Sequence, residues 1–289
     1  MAPVTAPSTC PACQRQAEAG ARWCERCGYD LGPPPVRWQL VESGALDLGA
    51  VAGVTDPGRR PANEDALAVG AAGAASAAVV CDGVSTSERP EAAARAAAAA
   101  GMEALLAALA AGAPATVATR AGGLAAARAA AAQGGSGDVN PPACTYVSAI
   151  VATGTVVIGW IGDSPAYWLP TAGTPVRLTI DDTAAGRLAA LGVPRGDARY
   201  ARPRAYALER WLGADAGAAA PRITALAPEE PGMVLVCSDG LALEPPDLAL
   251  AGPAAPAPLV ADLLRRALAA GSTDNITVAA LAYPPSGEL

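Results

Sequence analysis

Four apolar runs in this chain meet an aspartate at one end: VVCDG (79–83), GWIGDS (159–164), VLVCSDG (234–240) and STDNITV (272–278). Short β-branched runs bounded by Gly, Ser or Asn are strand signals, and the aspartate sits where the strand leaves its sheet. Each run thus holds a carboxylate on a rigid rim. Rims that converge would gather a negative charge that is tolerable only beside a cation. A set of oxygen ligands suits a hard divalent ion, Mg²⁺ or Mn²⁺. The pattern predicts a metal-dependent enzyme.

The residues that are missing narrow the chemistry. The chain has no His, and every basic residue is Arg. Ser-His-Asp and Cys-His catalysis, His-ligated metals, a P-loop Lys and a Schiff-base Lys are excluded together. Arg remains as a bidentate holder of phosphate. A net charge of −7 and a pI near 4.7 argue against a general nucleic-acid binder. No hydrophobic run is read as a membrane span, and the N-terminus has no signal-peptide pattern, so a cytoplasmic location is expected.

Residues 1–32 form a first unit. Cys10, Cys13, Cys24 and Cys27 make two CxxC pairs, and two such turns can complete a tetrahedral S₄ site for one structural Zn²⁺. A unit this small needs a metal in place of a core. Two disulfides and an empty site are the alternatives. CPAC followed by WCERCGYDL resembles the zinc-ribbon family. Pro33, Pro34 and Pro35 suggest a stiff spacer, so 33–44 is read as a linker and 45–285 as the main domain.

Within that domain, ALDLGAVAGVT reads as one strand. Helices are expected from SERPEAAARA to Gly112, over about 114–132 with Gly122 and Gly123 against it, after LTIDD, and over 257–270. Strands are expected at 144–152, 155–161, 166–169, in GMVLVC and in NITVAALAY, with 193–231 irregular. Hairpin-linked strands with helices between them predict an α+β antiparallel sandwich. Cys81, Cys144 and Cys237 lie inside strand patterns and read as small buried hydrophobes.

The ordered series RRPANED, VVCDGV, CTYVSAIV, IGDSPAYWL, LTIDD, WLG, LVCSDGL and TDNITV resembles the bacterial type 2C metal-dependent protein phosphatases, the PPM family. The resemblance implies a four-layer α/β/β/α sandwich of two antiparallel sheets flanked by helices, beside the small N-terminal zinc ribbon. It implies a serine/threonine phosphatase in signal transduction, in which a hydroxide held by two Mn²⁺ or Mg²⁺ ions attacks phosphoserine or phosphothreonine in line. On that resemblance Asp82 bridges the two ions and the Gly83 carbonyl binds the first. Asp239 and Asp274 bind the second, with Glu64 beside them. Asp65 accepts from bound water, Asp163 holds a third ion, and Arg60 grips phosphate. The implied partners are phosphoproteins made by a serine/threonine kinase, with the ribbon as a docking or regulatory module for another protein.

Departures from the family pattern are GDSP for GDSR, LTIDD for LTxDH, Glu209 before RWLG, and Val84 after Asp82-Gly83. Val84 is no general acid, so a metal-bound water is the expected donor to the leaving oxygen. The alternative function is a catalytically weak scaffold that binds through its ribbon. A nucleic-acid role for the ribbon is disfavoured, because Arg15, Arg22 and Arg26 are offset by Glu18, Glu25 and Asp30.

Overall fold

A computed structural model describes residues 9–10, 12–17, 21–29, 31, 36–217, 220–242, 245–250 and 254–283. Its strands are β1 Val36–Val41, β2 Gly44–Asp47, β3 Val51–Asp56, β4 Ala66–Ala72, β5 Ala75–Cys81, β6 Ala143–Cys144, β7 Tyr146–Ala152, β8 Thr155–Ile161, β9 Ala166–Pro170, β10 Val176–Arg177, β11 Leu212–Gly213, β12 Arg222–Leu226, β13 Gly232–Cys237 and β14 Ile276–Tyr283. The α-helices are α1 Pro90–Ala110, α2 Ala115–Ala131, α3 Ala184–Ala190 and α4 Pro256–Ala269.

Two six-stranded antiparallel sheets, ordered β1-β4-β5-β7-β8-β12 and β10-β9-β13-β14-β3-β2, stack face to face. Alternate residues of the central strands point to opposite faces, so each sheet feeds two cores. Leu67, Val69, Val80, Val147, Ile158, Val234 and Leu281 fill the space between the sheets. Val79, Cys81, Tyr146 and Ile150 pack against Ala97, Met102, Leu105 and Leu106 of α1. Leu235, Val278 and Ala280 pack against Val260 and Leu263 of α4. The result is the expected α/β/β/α sandwich.

The Ala-rich helices pack closely because their facing side chains are small. Gly122, which weakens α2 by propensity, lies where an added Cβ would be 2.9 Å from the Gly101 carbonyl oxygen of α1. By length and composition α1 could also cross a membrane, contrary to the sequence reading, because its alanines count as apolar. Here Ala93, Ala97 and Leu105 are buried against the first sheet.

Three expectations need correction. The segment 33–44, read as linker, contains β1, which pairs along its length with β4 from Val36↔Ala72 to Val41↔Leu67. Prolines mask this in the sequence, yet Trp38 and Leu40 pack towards the α1 layer while Val41 enters the inter-sheet core. Pro33, Pro34 and Pro35, and the end of the expected main domain beyond 283, lie outside the described residues. The single strand expected over 45–55 is a hairpin of β2 and β3, turned where the Gly49 N–H donates to Asp47 Oδ1 at 2.7 Å. The irregular stretch 193–231 includes β12, an edge strand beside β8; with one neighbour and a shallow burial it shows no strong alternation.

Candidate metal centre

Strand register gathers the carboxylates. In the first sheet Ala66 faces Cys81, Val80 faces Val147 and Tyr146 faces Ile161. In the second, Cys237 faces Val278, Val236 faces Ala166 and Ile276 faces Asp56. Asp65, Asp82, Asp163, Asp239 and Asp274 each lie one or two residues beyond one of these positions, so they share one end of the sandwich.

Polar contacts fix the loops that carry them. Asn275 is buried; its Oδ1 accepts from the Glu64 N–H at 2.8 Å, and its Nδ2 donates to the Pro57 and Ala62 carbonyls, each at 2.9 Å. This ties the RRPANED loop to the Asp274 loop. Gly240 lets the Asp239 turn close on the same segment: an added Cβ would lie 1.9 Å from the Asn275 carbonyl oxygen. The Asp82 N–H donates to Thr145 Oγ1 at 3.0 Å, and that hydroxyl meets Ser164 Oγ at 2.6 Å. Asp82 and Asp163 are thereby linked through Thr145 and Ser164. Glu64 Oε2 accepts from Ser85 Oγ at 2.6 Å. The Gly83 backbone lies against Glu64, with an added Cβ only 2.6 Å from the Glu64 carbonyl oxygen.

The electrostatics follow from this crowding. Burial, and then the charges of Asp65, Asp239, Asp163 and Asp274, push the Asp82 carboxyl well above the usual range. Burial raises Asp65 to about 6, against hydroxyls of Thr277 and Ser238 that hold it down. Burial and then Asp239 and Asp181 raise Asp163 to about 7. Asp239 is also raised, by burial and then Asp274; the residue is open to solvent at the cleft mouth, but the walls on either side still strip part of its hydration. Buried Asp65 Oδ2 has no hydrogen-bond partner. Arg60 Nη2 donates to Asp274 Oδ2 at 2.9 Å, and the charge of Arg177 pulls against the rise at Asp163, so few guanidinium groups face several carboxylates. This donor set, acceptor-only oxygens with surplus negative charge and an unsatisfied lone pair, fits hard divalent cations.

From Asp163 and Asp239 a cleft of about 470 Å³ runs past Arg177 and Asp181 to Arg195 and Tyr206. The LTIDD departure is explained beside it. Asp182 is buried and accepts from Arg210 Nη1 at 3.0 Å and Arg222 Nε at 2.7 Å. Asn275, Thr145, Ser164, Ser85 and Asp182 carry no role in the sequence reading. Asn275 alone had a local signal, as the polar residue between an aspartate and a buried strand.

The cysteine tetrad is a separate site. Its four sulfurs lie within 4.8 Å of one another, and among the described residues this is the one group of three or more His, Cys, Asp or Glu ligand atoms gathered closely enough to hold a metal ion as the side chains stand. Cys10 and Cys27 Sγ are 3.6 Å apart, and Cys13 and Cys24 Sγ 3.4 Å. A tetrahedral ion with metal–sulfur bonds of about 2.3 Å holds its sulfurs about 3.8 Å apart, whereas a disulfide needs about 2.05 Å. The spacing fits a zinc ribbon, and all seven cysteines are free. Both turns are built alike: Gln14 N–H donates to the Cys10 carbonyl at 2.8 Å and Gly28 N–H to the Cys24 carbonyl at 2.7 Å. Each donor has a left-handed backbone, φ 57° at Gln14 and 70° at Gly28. The Cys24 thiol is lowered to about 6, chiefly by the Cys27 N–H. Cys81, Cys144 and Cys237 are buried, as expected.

A family profile described as protein phosphatase 2C matches residues 58–279. No curated protein matches the chain. Among solved structures, the serine/threonine phosphatase Stp1 of Staphylococcus aureus is similar, with a TM-score of 0.65 and 22% identity over 84% of this chain and 98% of that one. The PPM Ser-Thr phosphatase MsPP of Mycobacterium smegmatis, in complex with cacodylate, has a TM-score of 0.60 and 26% identity, covering 84% of this chain and 100% of that one. The catalytic domain of the serine threonine protein phosphatase PstP, in complex with two manganese ions, has a TM-score of 0.53 and 22% identity, covering 86% and 100%.

Proposed function

The chain belongs to the protein phosphatase 2C family, and on that premise we propose that it hydrolyses phosphoserine and phosphothreonine in proteins using Mn²⁺ or Mg²⁺. One observation carries this reading: carboxylates from five separate segments crowd one end of the sandwich, with Arg60 paired to Asp274 and a lone pair of Asp65 unsatisfied. Asp82, the Gly83 carbonyl, Asp239, Asp274 and Glu64 would hold two ions, and Asp163 a third. When bound, the ions supply positive charge that makes water nucleophilic near neutral pH and draws charge off the phosphoryl group.

The chain's own residues set the rest. Asp65, behind the rim with its carboxyl raised to about 6, would accept a hydrogen bond or proton from the attacking water. Arg60 reaches the rim from the RRPANED loop; it can leave Asp274 and grip two phosphoryl oxygens in a fork. Water forms the new P–O bond, the bond to the serine or threonine oxygen breaks, and that oxygen takes a proton, leaving inorganic phosphate and a free hydroxyl. No covalent intermediate is needed, which suits a chain without His whose three domain cysteines are buried. Products of a serine/threonine kinase would be the substrates.

Residues 1–32 would form a ribbon that binds one Zn²⁺ through its thiolates and serves as a docking or regulatory module, with the phosphatase domain starting at β1. Free thiols accord with a cytoplasmic location. The decisive assay is manganese-dependent phosphate release from a phosphothreonine peptide, with Asp82→Ala beside the parent. Loss of release in the variant is expected; undiminished release would overturn the metal assignment.

A further inference from the structure

The Asp163 carboxylate feels the charge of Asp239 and takes a hydrogen bond from its own backbone N–H, so its place follows from how that backbone is held. That backbone is pinned on both sides. After it, Ser164 Oγ meets Thr145 Oγ1, which also accepts from the Asp82 N–H. Before it, Gly162 and Asp182 exchange two bonds: the Gly162 N–H donates to Asp182 Oδ2 at 3.1 Å, and the Asp182 N–H donates to the Gly162 carbonyl at 2.9 Å. Gly162 holds φ 104°, a left-handed conformation with no intrinsic preference for this turn over its alternatives. The turn therefore depends on its partners.

Asp182 is suited to that task. Its side chain is 1% exposed, and its charge is held by Arg210 from the loop before β11 and Arg222 from β12. Its carbonyl accepts from the Glu209 N–H at 2.8 Å. A buried carboxylate fixed by two guanidinium groups is a stiff post, and the peptide that leads into Asp163 is hung from it.

We infer that Asp182 is a positioning residue: by holding the Gly162 peptide it sets where the Asp163 carboxylate stands in the acidic centre, and so sets the affinity of the divalent-ion site that Asp163 would line. The inference rests on the proposed role of Asp163 as a ligand. It differs from the phosphatase reading in being testable by ion binding alone.

The test is a Mn²⁺ titration of the full chain, followed by the electron paramagnetic resonance of free Mn²⁺, for the parent, Asp182→Asn, Asp163→Ala and the double variant. Removing a group that orients a ligand typically weakens metal binding about 10- to 100-fold. Asp182→Asn should weaken Mn²⁺ binding at the site that Asp163 would line by about tenfold or more, and should add nothing in the Asp163→Ala background. Arg222→Gln, at a side chain 53% exposed on the edge strand, should fold normally and shift the same site in the same direction by less; it decides the matter if Asp182→Asn does not fold. Parental titration curves in both Asp182→Asn and Arg222→Gln would overturn the inference. So would additive losses in the double variant, or a parental titration curve in Asp163→Ala. Altered Mn²⁺ binding with no phosphatase activity in any form, the parent included, would retain the inference and remove the catalytic reading instead.

Discussion

The Arg60 guanidinium lies 2.9 Å from the Asp274 carboxylate, and both side chains are about two-fifths exposed, 40% and 41%. Ion pairs this open are worth roughly 0–1 kcal/mol. Arg60 can therefore leave Asp274 for a phosphoryl group, or be displaced by an ion bound there, at little expense. Arg60→Ala is expected to raise KM for a phosphothreonine peptide by about tenfold, the loss of one charge-assisted contact, with a smaller change in kcat. Steady-state kinetics at saturating Mn²⁺ check this; a KM equal to that of the parent would remove Arg60 from substrate binding.

Asp82 is held against four like charges. Asp82→Asn relieves that repulsion, so without divalent ions the variant should melt a few degrees above the parent. With Mn²⁺ it should be slower by about a thousandfold, since the ions provide several kcal/mol of transition-state stabilisation. Melting curves in chelator and turnover in Mn²⁺ test the two halves of this trade separately.

The stability of the ion-free protein should fall with rising pH. Asp65 and Asp163 titrate near 6 and 7 in the fold against about 3.9 when unfolded. Between those values the native state holds more protons than the unfolded chain, so each group lowers stability by about 1.4 kcal/mol per pH unit as pH rises. The loss should run from about pH 4 to pH 7 and be reversed by Mn²⁺. Denaturant unfolding at several pH values, with and without Mn²⁺, reads it; a stability in chelator that rises through this window would contradict the arrangement.

Asn275→Ala strands the Glu64 N–H and two carbonyls that are now satisfied. Leaving one buried polar group unpaired costs about 1–3 kcal/mol. The variant should lose at least that much stability and also bind Mn²⁺ more weakly, because the loop of Glu64 comes free of the loop of Asp274. Urea unfolding and Mn²⁺ titration together distinguish this from a purely local defect.

The full chain should bind one Zn²⁺ at pH 7 and release it on acidification, as protons compete with the ion for the four sulfurs. Cys24→Ser should lower the zinc content and leave the melting of the phosphatase domain unchanged. Metal analysis by mass spectrometry decides the stoichiometry.

Much of this could be read locally. The apolar runs ending at Asp82, Asp163 and Asp239 became β5, β8 and β13, because a buried strand has two neighbours and its composition must satisfy both faces. Pro90 and Gly112 bracketed α1, since a proline fits a helix start and a glycine a helix exit. The CxxC pairs predicted their own geometry, since four residues and one turn suffice to aim two sulfurs. The edge strands were missed: β1 is flanked by prolines and β12 has a single partner, so neither needed a strong pattern.

By itself, then, the order of residues determined the sandwich, the thiolate tetrad and the approximate rim of acidic groups, all products of short-range periodicity and turn chemistry. Tertiary structure alone decided that Asn275 joins Glu64, that Asp182, fixed by two arginines, holds Gly162, and that Arg60 rests on Asp274. These bonds span between 20 and 214 residues. Their donors and acceptors meet only once strand register is set, and no local pattern encodes which carboxylate a distant guanidinium will find.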